Sequence, residues 1–423
     1  MLEEHILEVS HTSCVIVGGG PAGAVLALLL ARCCVPVTLL EQHRDFDRDF
    51  RGDTIHPTVL QILDEIGLAD RLLQLPHGKQ RGAVFQTADG PIRVIDFSRA
   101  GGRWPYIVMM PQVRFLEFIT EEAKRFASFR LVLGASVQRL IQEGGVVRGV
   151  RYRSDDGWHE LRAVLTVGAD GRFSRMRHLA GIAAVPSGEP PMDVLWFRLP
   201  KKPGDPTDSA TGALGRGRGV GMLSRPTDWQ VAYLFPKGGY QRLRAAGLGE
   251  LRRSIAELLP WIADRLDHLQ DWHQVALLSV EASRCRRWYR PGLLLIGDAA
   301  HVMSPAGGVG INYAIQDAVA AANRLTRPLL RGEMRVGDLA AVQRRRERVT
   351  RTVQFFQAAV PRRALFASGR PAGGPVRLPW LVRQVLRIPI VRYCLGWLMM
   401  RFLSLGSEHV DHVVAAPAPQ TAA

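Results

Sequence analysis

The 423-residue sequence predicts an α/β fold: a parallel-sheet domain interrupted by a mainly antiparallel β-sheet, then a C-terminal helical region. Three observations predict it. A strand, a glycine turn, a helix and a second strand follow one another between Ser13 and Glu41. From Asp193 to Ala282 apolar and polar residues alternate between Gly/Pro turns, as in Leu195–Leu199 and Gln230–Phe235. Beyond Pro361 the composition shifts again, to arginine, tryptophan and aliphatic residues.

Ser13–Val17 is a short apolar run entering glycines, Ala22–Cys33 is apolar nearly throughout, and Val35–Leu40 is a second buried strand ending at Glu41. Between them Gly18, Gly20 and Gly23 form GxGxxG. Gly18 permits the tight turn, Gly20 lets backbone approach a pyrophosphate, and Gly23 allows helix–strand contact. The helix start behind them offers unpaired N–H groups to phosphate. This is a Rossmann-like unit. Glu41 stands where a carboxylate accepts ribose hydroxyls, which favours FAD or NAD over NADP at this site.

Helical periodicity then runs from Asp53 to Leu68, starting just after Pro57, and again over Leu116–Phe126. Leu161–Asp170 reads as a strand entering a turn, and Leu293–Ile296 as another buried strand, followed by a helix from about Val309 to Leu325. There is no internal repeat. Small residues and proline after Val413 predict a disordered tail.

The formal charge of +16 comes mainly from fifty arginines against five lysines. Such a surface attracts phosphates, anionic lipid or acidic ligands, or reflects genome base composition. No basic run with interleaved aromatics marks a nucleic-acid groove. Five cysteines without a CxxC pair argue against a disulfide framework. With no signal-peptide run in Met1–Thr12, a reduced, cytoplasmic setting is expected.

Two later motifs separate FAD from NAD. Gly297-Asp298-Ala299-Ala300-His301 follows a buried strand and precedes Ser304-Pro305-Ala306-Gly307-Gly308-Val309-Gly310-Ile311-Asn312. A helix start there can stabilise negative charge on a reduced flavin ring. Gly168-Ala169-Asp170-Gly171-Arg172 follows an earlier strand. Together they resemble the "GD" and "DG" signatures of the para-hydroxybenzoate-hydroxylase family. Arg51-Gly52 resembles its phosphate-reaching arginine, and Gln112 its flavin-contacting glutamine. The matches run in family order from Val15 to about Leu325. The resemblance implies that Asp298 binds ribityl hydroxyls and that Asp170 and Arg51 serve the pyrophosphate region. It implies that Gly308, Gly310, Ile311 and Asn312 lie against the ring, and that Pro305 borders the reaction site through its carbonyl. It further implies an FAD-dependent monooxygenase that uses NADPH or NADH as transient reductant and O₂. A flavin C4a-hydroperoxide would oxidise an electron-rich aromatic, polyketide or quinone-like small molecule. No second GxGxxG with βαβ context stands ready for the nicotinamide. A reductase or dehydrogenase of the prenyl-lipid saturase type is the alternative on the same fold. A non-catalytic flavin-binding protein is a third option, against which both intact signatures argue. No Trp-x-Trp-x-Ile-Pro segment points to a halogenase.

The implied domains are a discontinuous FAD-binding domain (1–75, 100–182 and 283–360), a substrate domain (76–99 and 183–282), a helical region (361–412) and the tail (413–423). His56, in Thr54-Ile55-His56-Pro57, is a candidate for touching ring or substrate, or for packing a helix start. His301 is expected to support its loop. Trp196, Met222 and Tyr233 fall in the alternating strands and are candidates to wall the substrate pocket, or simply core. No metal-ligand cluster is expected. From Arg348 through Ser407 there is no acid, while ten arginines occur. That piece reads either as a helical layer packed on the protein or on a second subunit, or as a peripheral membrane contact over 376–405.

Overall fold

The computed structural model describes residues 6–47, 53–188, 190–215, 217–366, 374–411 and 414. Arg51 and Gly52 lie outside the described residues, as does most of the tail.

The Leu293–Leu295, Gly157–Gly168, Ile6–Val17, Val37–Glu41 and Phe129–Leu133 strands lie side by side in that order, all parallel. The first of them in sequence begins at Ile6, earlier than its apolar run suggests. Its polar half, Ile6–Thr12, is held by a ladder to Trp158–Ala163 rather than by burial. The Pro21–Arg32 helix follows the glycine turn, with Pro21 in its first turn and every residue from Ala22 to Arg32 buried. It packs against the Gly310–Leu330 and Gln112–Lys124 helices.

The second sheet has seven strands, in the order Ala276–Leu278, Met192–Pro200, Asp228–Pro236, Arg218–Ser224, Ser209–Gly215, Gly82–Thr87 and Gly90–Asp96. Only the Ser209–Gly215 and Gly82–Thr87 pair is parallel. Strand alternation gives this sheet two unlike faces. Leu195, Phe197, Met222, Val231 and Tyr233 point to one face, under the Leu248–Leu258 helix, and form a hydrophobic core. Tyr233 caps its burial with a 2.8 Å hydrogen bond between its hydroxyl and Ser254 Oγ. The expectation that Met222 and Tyr233 wall a substrate pocket is therefore corrected: both are filling beneath a helix. Trp196, paired in register with Ala232, points to the opposite face and is half-buried.

The long Val336–Phe366 helix leads to two shorter ones, Trp380–Arg387 and Pro389–Leu403. The prolines that flank them start helices instead of breaking one: Pro379 is the cap of the first and Pro389 opens the second. Met400 and Leu403 join Phe97, Met303, Val309, Tyr313 and Val353 in a cluster where this last helix meets the Gly310–Leu330 and Val336–Phe366 helices. A Cβ on Gly396 would meet the Asp96 carbonyl at 2.0 Å, so this helix crosses the edge of the second sheet at backbone distance. The C-terminal helices thus pack on their own chain along one side.

Candidate active site

Three loops leave the carboxyl ends of adjacent parallel strands, where open α/β sheets bind their ligands. The first is Gly18–Gly23. Gly18 has φ 107°, and a Cβ there would meet the Ala169 carbonyl at 2.5 Å. A Cβ on Gly23 would meet the Gly18 carbonyl at 2.0 Å. Gly20 differs: nothing lies within 4 Å of where its Cβ would stand. No side chain caps the helix that starts after it. An open approach to uncapped N–H groups is the shape a pyrophosphate needs. Glu41, buried at the end of its strand, accepts hydrogen bonds from Gly19 N at 2.8 Å and His43 N at 3.0 Å. It braces this turn.

Asp170 opens the second loop. Its carboxylate accepts from Ser174 Oγ at 2.5 Å and from Met176 N at 2.9 Å. Burial raises its pKa against these bonds. Arg177, seven residues on, donates to the Ala299 carbonyl at 3.0 Å and so ties this loop to the third.

Asp298 sits in the third loop, one residue after Gly297, whose φ is 59°. A Cβ on Gly297 would touch Ala22 and Ala314, both at 3.3 Å, so the loop fits between two helix starts. Asp317, from within the Gly310–Leu330 helix, accepts from Gly297 N at 3.0 Å and lies 2.6 Å from His301 Nε2. Its other oxygen accepts from Arg346 Nε at 2.9 Å. Arg346 in turn donates to the Gly406 carbonyl at 2.7 Å and to Glu408 at 3.2 Å. All of Asp317, His301 and Arg346 are buried. Burial would raise the Asp317 pKa, but His301 and Arg346 hold it below the usual carboxylate range.

The Pro305–Asn312 stretch runs from a tight turn into that same helix. Asn312, fully buried, donates to the Thr54 and Gly308 carbonyls at 3.1 and 2.9 Å. Its carbonyl oxygen accepts from His56 N at 2.7 Å. Thr54 Oγ1 also donates to Gly308, where a Cβ would sit 2.4 Å from that hydroxyl. Asn312 is therefore a clamp between its loop and Thr54–His56. The Pro305 carbonyl accepts from Gly308 N at 3.0 Å, which leaves one lone pair for another donor. Gly310 and Ile311 form the first turn of the helix behind this loop. His56 is wholly buried beside it, and burial pushes its pKa down to about 4, partly offset by the Gly307 backbone.

Gln112 begins the Gln112–Lys124 helix, and its backbone N–H helps to hold Asp53. Asp53 is buried, 3.4 Å from Arg225, and burial pushes it up to about 6. Sequence reading did not single out Asp53, Arg177, Asp317 or Arg346. Asp317 left a trace, as a lone acid in a helix otherwise rich in alanine and isoleucine.

The family described as "FAD binding domain" matches residues 11–356. The chain belongs to this family. A 6-methylpretetramide 4-monooxygenase of Streptomyces rimosus is 37% identical over 393 residues, covering 90% of this chain and 91% of the relative. A 12-dehydrotetracycline 5-monooxygenase/anhydrotetracycline 6-monooxygenase from the same species is 30% identical, over 72% of this chain and 60% of its own. The p-nitrophenol 4-monooxygenase PnpA of Pseudomonas putida has a TM-score of 0.75 at 20% identity, covering 96% of this chain and 100% of that one, which shows the shared fold. The protein is an FAD-dependent monooxygenase of the para-hydroxybenzoate-hydroxylase type, and its open Gly20 cradle and uncapped helix start fit that cofactor.

In this monooxygenase Asp53 and His56 give opposite pH slopes. Folded Asp53 keeps its proton to about 6 against the ordinary 3.8, so its contribution favours the fold at acid pH and is lost as pH rises through 6. Folded His56 resists protonation down to about 4 against 6.5, so it penalises the fold as pH falls through that window. Each shift corresponds to about 3 kcal/mol. The change in urea midpoint caused by Asp53→Asn is expected to be more favourable at about pH 7.5 than at about pH 4.5, and that caused by His56→Gln the reverse. Equal effects at both pH values would refute the assignment.

Proposed function

We propose that this monooxygenase hydroxylates an electron-rich polycyclic phenol of the aromatic polyketide class, taking electrons from NADPH or NADH and one oxygen atom from O₂. The observation that carries the reading is the Pro305–Asn312 loop, fixed by Asn312 against Thr54–His56 at the ends of the parallel strands. The relative with 37% identity, by its name a monooxygenase of 6-methylpretetramide, supports the substrate class. The relatives support monooxygenation over the reductase alternative.

When bound, FAD would supply the redox chemistry, accepting hydride and activating oxygen. The chain would supply position. Gly18, Gly20, Gly23 and the Pro21–Arg32 helix start would hold the pyrophosphate, with Glu41 at the ribose and Asp298 at the ribityl chain. Gln112, Asp170 and the Gly308–Asn312 turn would border the cofactor, and Arg51 would add a phosphate contact. Pro305 would accept a substrate hydroxyl through its carbonyl. His56, neutral and dry, would offer an uncharged polar group beside that loop without carrying water into it. Trp196 would wall the pocket from the open face of the second sheet. Residues 76–99 and 183–282 would form the substrate domain, a division supported by the shared sheet of Gly82–Asp96 and Met192–Leu278. A peripheral contact through 376–405 would add to this, supported by the exposed apolar side chains there.

The test is turnover of FAD-loaded enzyme with NADPH or NADH under ¹⁸O₂, across a panel of tricyclic and tetracyclic phenols. One ¹⁸O atom in a hydroxylated product is the expected result. Nicotinamide oxidation that yields only hydrogen peroxide with every phenol would overturn the substrate class. Anaerobic conversion of a substrate would favour the reductase.

A further inference from the structure

The first of the two C-terminal helices is turned the unusual way round. On Trp380–Arg387 the charged Arg383 faces inward, bonded to the Asp89 carbonyl and 3.7 Å from the Asp89 carboxylate. The apolar side chains face out: Trp380 and Leu381 are each 68% exposed and Val385 48%. The next helix continues the surface with Ile390, Trp397 and Leu398, all exposed, while Gly396, Met400 and Leu403 pack inward. A solvent-facing helix ordinarily shows the opposite arrangement, and contiguous exposed apolar surface of this kind marks an interaction site.

We infer that this face docks on an anionic lipid surface. Arg387 and Arg401 are exposed beside the apolar side chains, and no acid occurs from Arg348 through Ser407. Neighbouring carboxylates are already engaged, Asp89 with Arg377 and Arg383, Asp96 with Arg93, and Asp64 with Arg103. Cationic side chains around exposed tryptophan and aliphatic groups are complementary to acyl chains beneath anionic headgroups. A second copy fits less well, because a two-fold contact through this face would set its arginines against one another. Among the described residues no helix is long and apolar enough to cross a membrane, so the contact lies in the interface plane. Trp397, Met400 and Arg401 of the second helix, with Ser404 just beyond it, line a cavity of about 430 Å³ together with Pro57 and Thr58. The inference stands on the surface alone and is independent of the proposed reaction.

The test uses the full FAD-loaded chain with vesicles of phosphatidylcholine alone or mixed with equal phosphatidylglycerol. Sedimentation with the anionic vesicles, a blue shift of tryptophan emission and release by high salt are expected. The triple variant Leu381→Gln, Val385→Gln, Leu398→Gln changes only exposed positions. It is expected to keep FAD content and thermal midpoint while partitioning at least roughly tenfold more weakly, as three lost apolar side chains require. No binding to anionic vesicles would overturn the inference. So would a dimer, seen by analytical ultracentrifugation, that the triple variant dissociates. Equal binding to neutral and anionic vesicles would remove the electrostatic part and with it the proposal.

Discussion

Asp317→Ala is expected to destabilise the chain by about 3 kcal/mol and to strip it of FAD, because the substitution removes the nearer of the two carboxylates paired with buried Arg346 and leaves it Glu408 alone at 3.2 Å. The same carboxylate holds Gly297 N at 3.0 Å, so the loop carrying Asp298 loses its brace in the same step. Urea midpoints and flavin absorbance of the purified variant measure both effects. The double variant Asp317→Ala, Arg346→Met is expected to recover much of the stability, since no buried charge is then stranded, while the Gly297 brace stays lost and FAD binding stays weak. Full stability and full flavin content in Asp317→Ala would show that the network is idle.

Gly20→Val is expected to fold normally and fail to retain FAD. Gly20 has φ −71° and ψ −179°, an extended conformation that valine adopts readily, and its Cβ would meet nothing in the protein. Those methyl groups would occupy the approach to the helix start instead. Losing two charge-assisted hydrogen bonds to phosphate would amount to about 3 kcal/mol, or roughly a hundredfold in affinity. Gly23→Ala is the contrasting variant: its Cβ would strike the Gly18 carbonyl at 2.0 Å, so the turn itself breaks. A fully loaded, yellow Gly20→Val protein would move the pyrophosphate elsewhere.

The parts of this site that were legible in the sequence are the local ones. Glycine spacing, the apolar run after Gly23 and the acid at Glu41 all report on a few neighbouring residues, and the turn they describe is built by those neighbours. The helix starts at Pro57 and near Val309 were legible for the same reason. The second sheet was legible as alternation, but alternation names two faces without saying which one a helix will cover. Tyr233 and Trp196 looked alike until the Leu248–Leu258 helix was laid over one of them. The Asp317–Arg346–Glu408 network joins residues far apart in sequence, and a single chain gives no pattern for such pairings. Asp53 stood in plain view beside Thr54-Ile55-His56, yet only burial distinguishes it from an ordinary surface acid.

Arg346 stitches Gly406 and Glu408 to the helix that carries Asp317, and Tyr313 adds a 3.1 Å bond to the Leu405 carbonyl. Residues 405–408 therefore brace a site whose first turn lies at Gly18–Gly23. A polypeptide cut short before Leu405 keeps that turn but lacks these ties, so it is expected to hold FAD less firmly than the full chain.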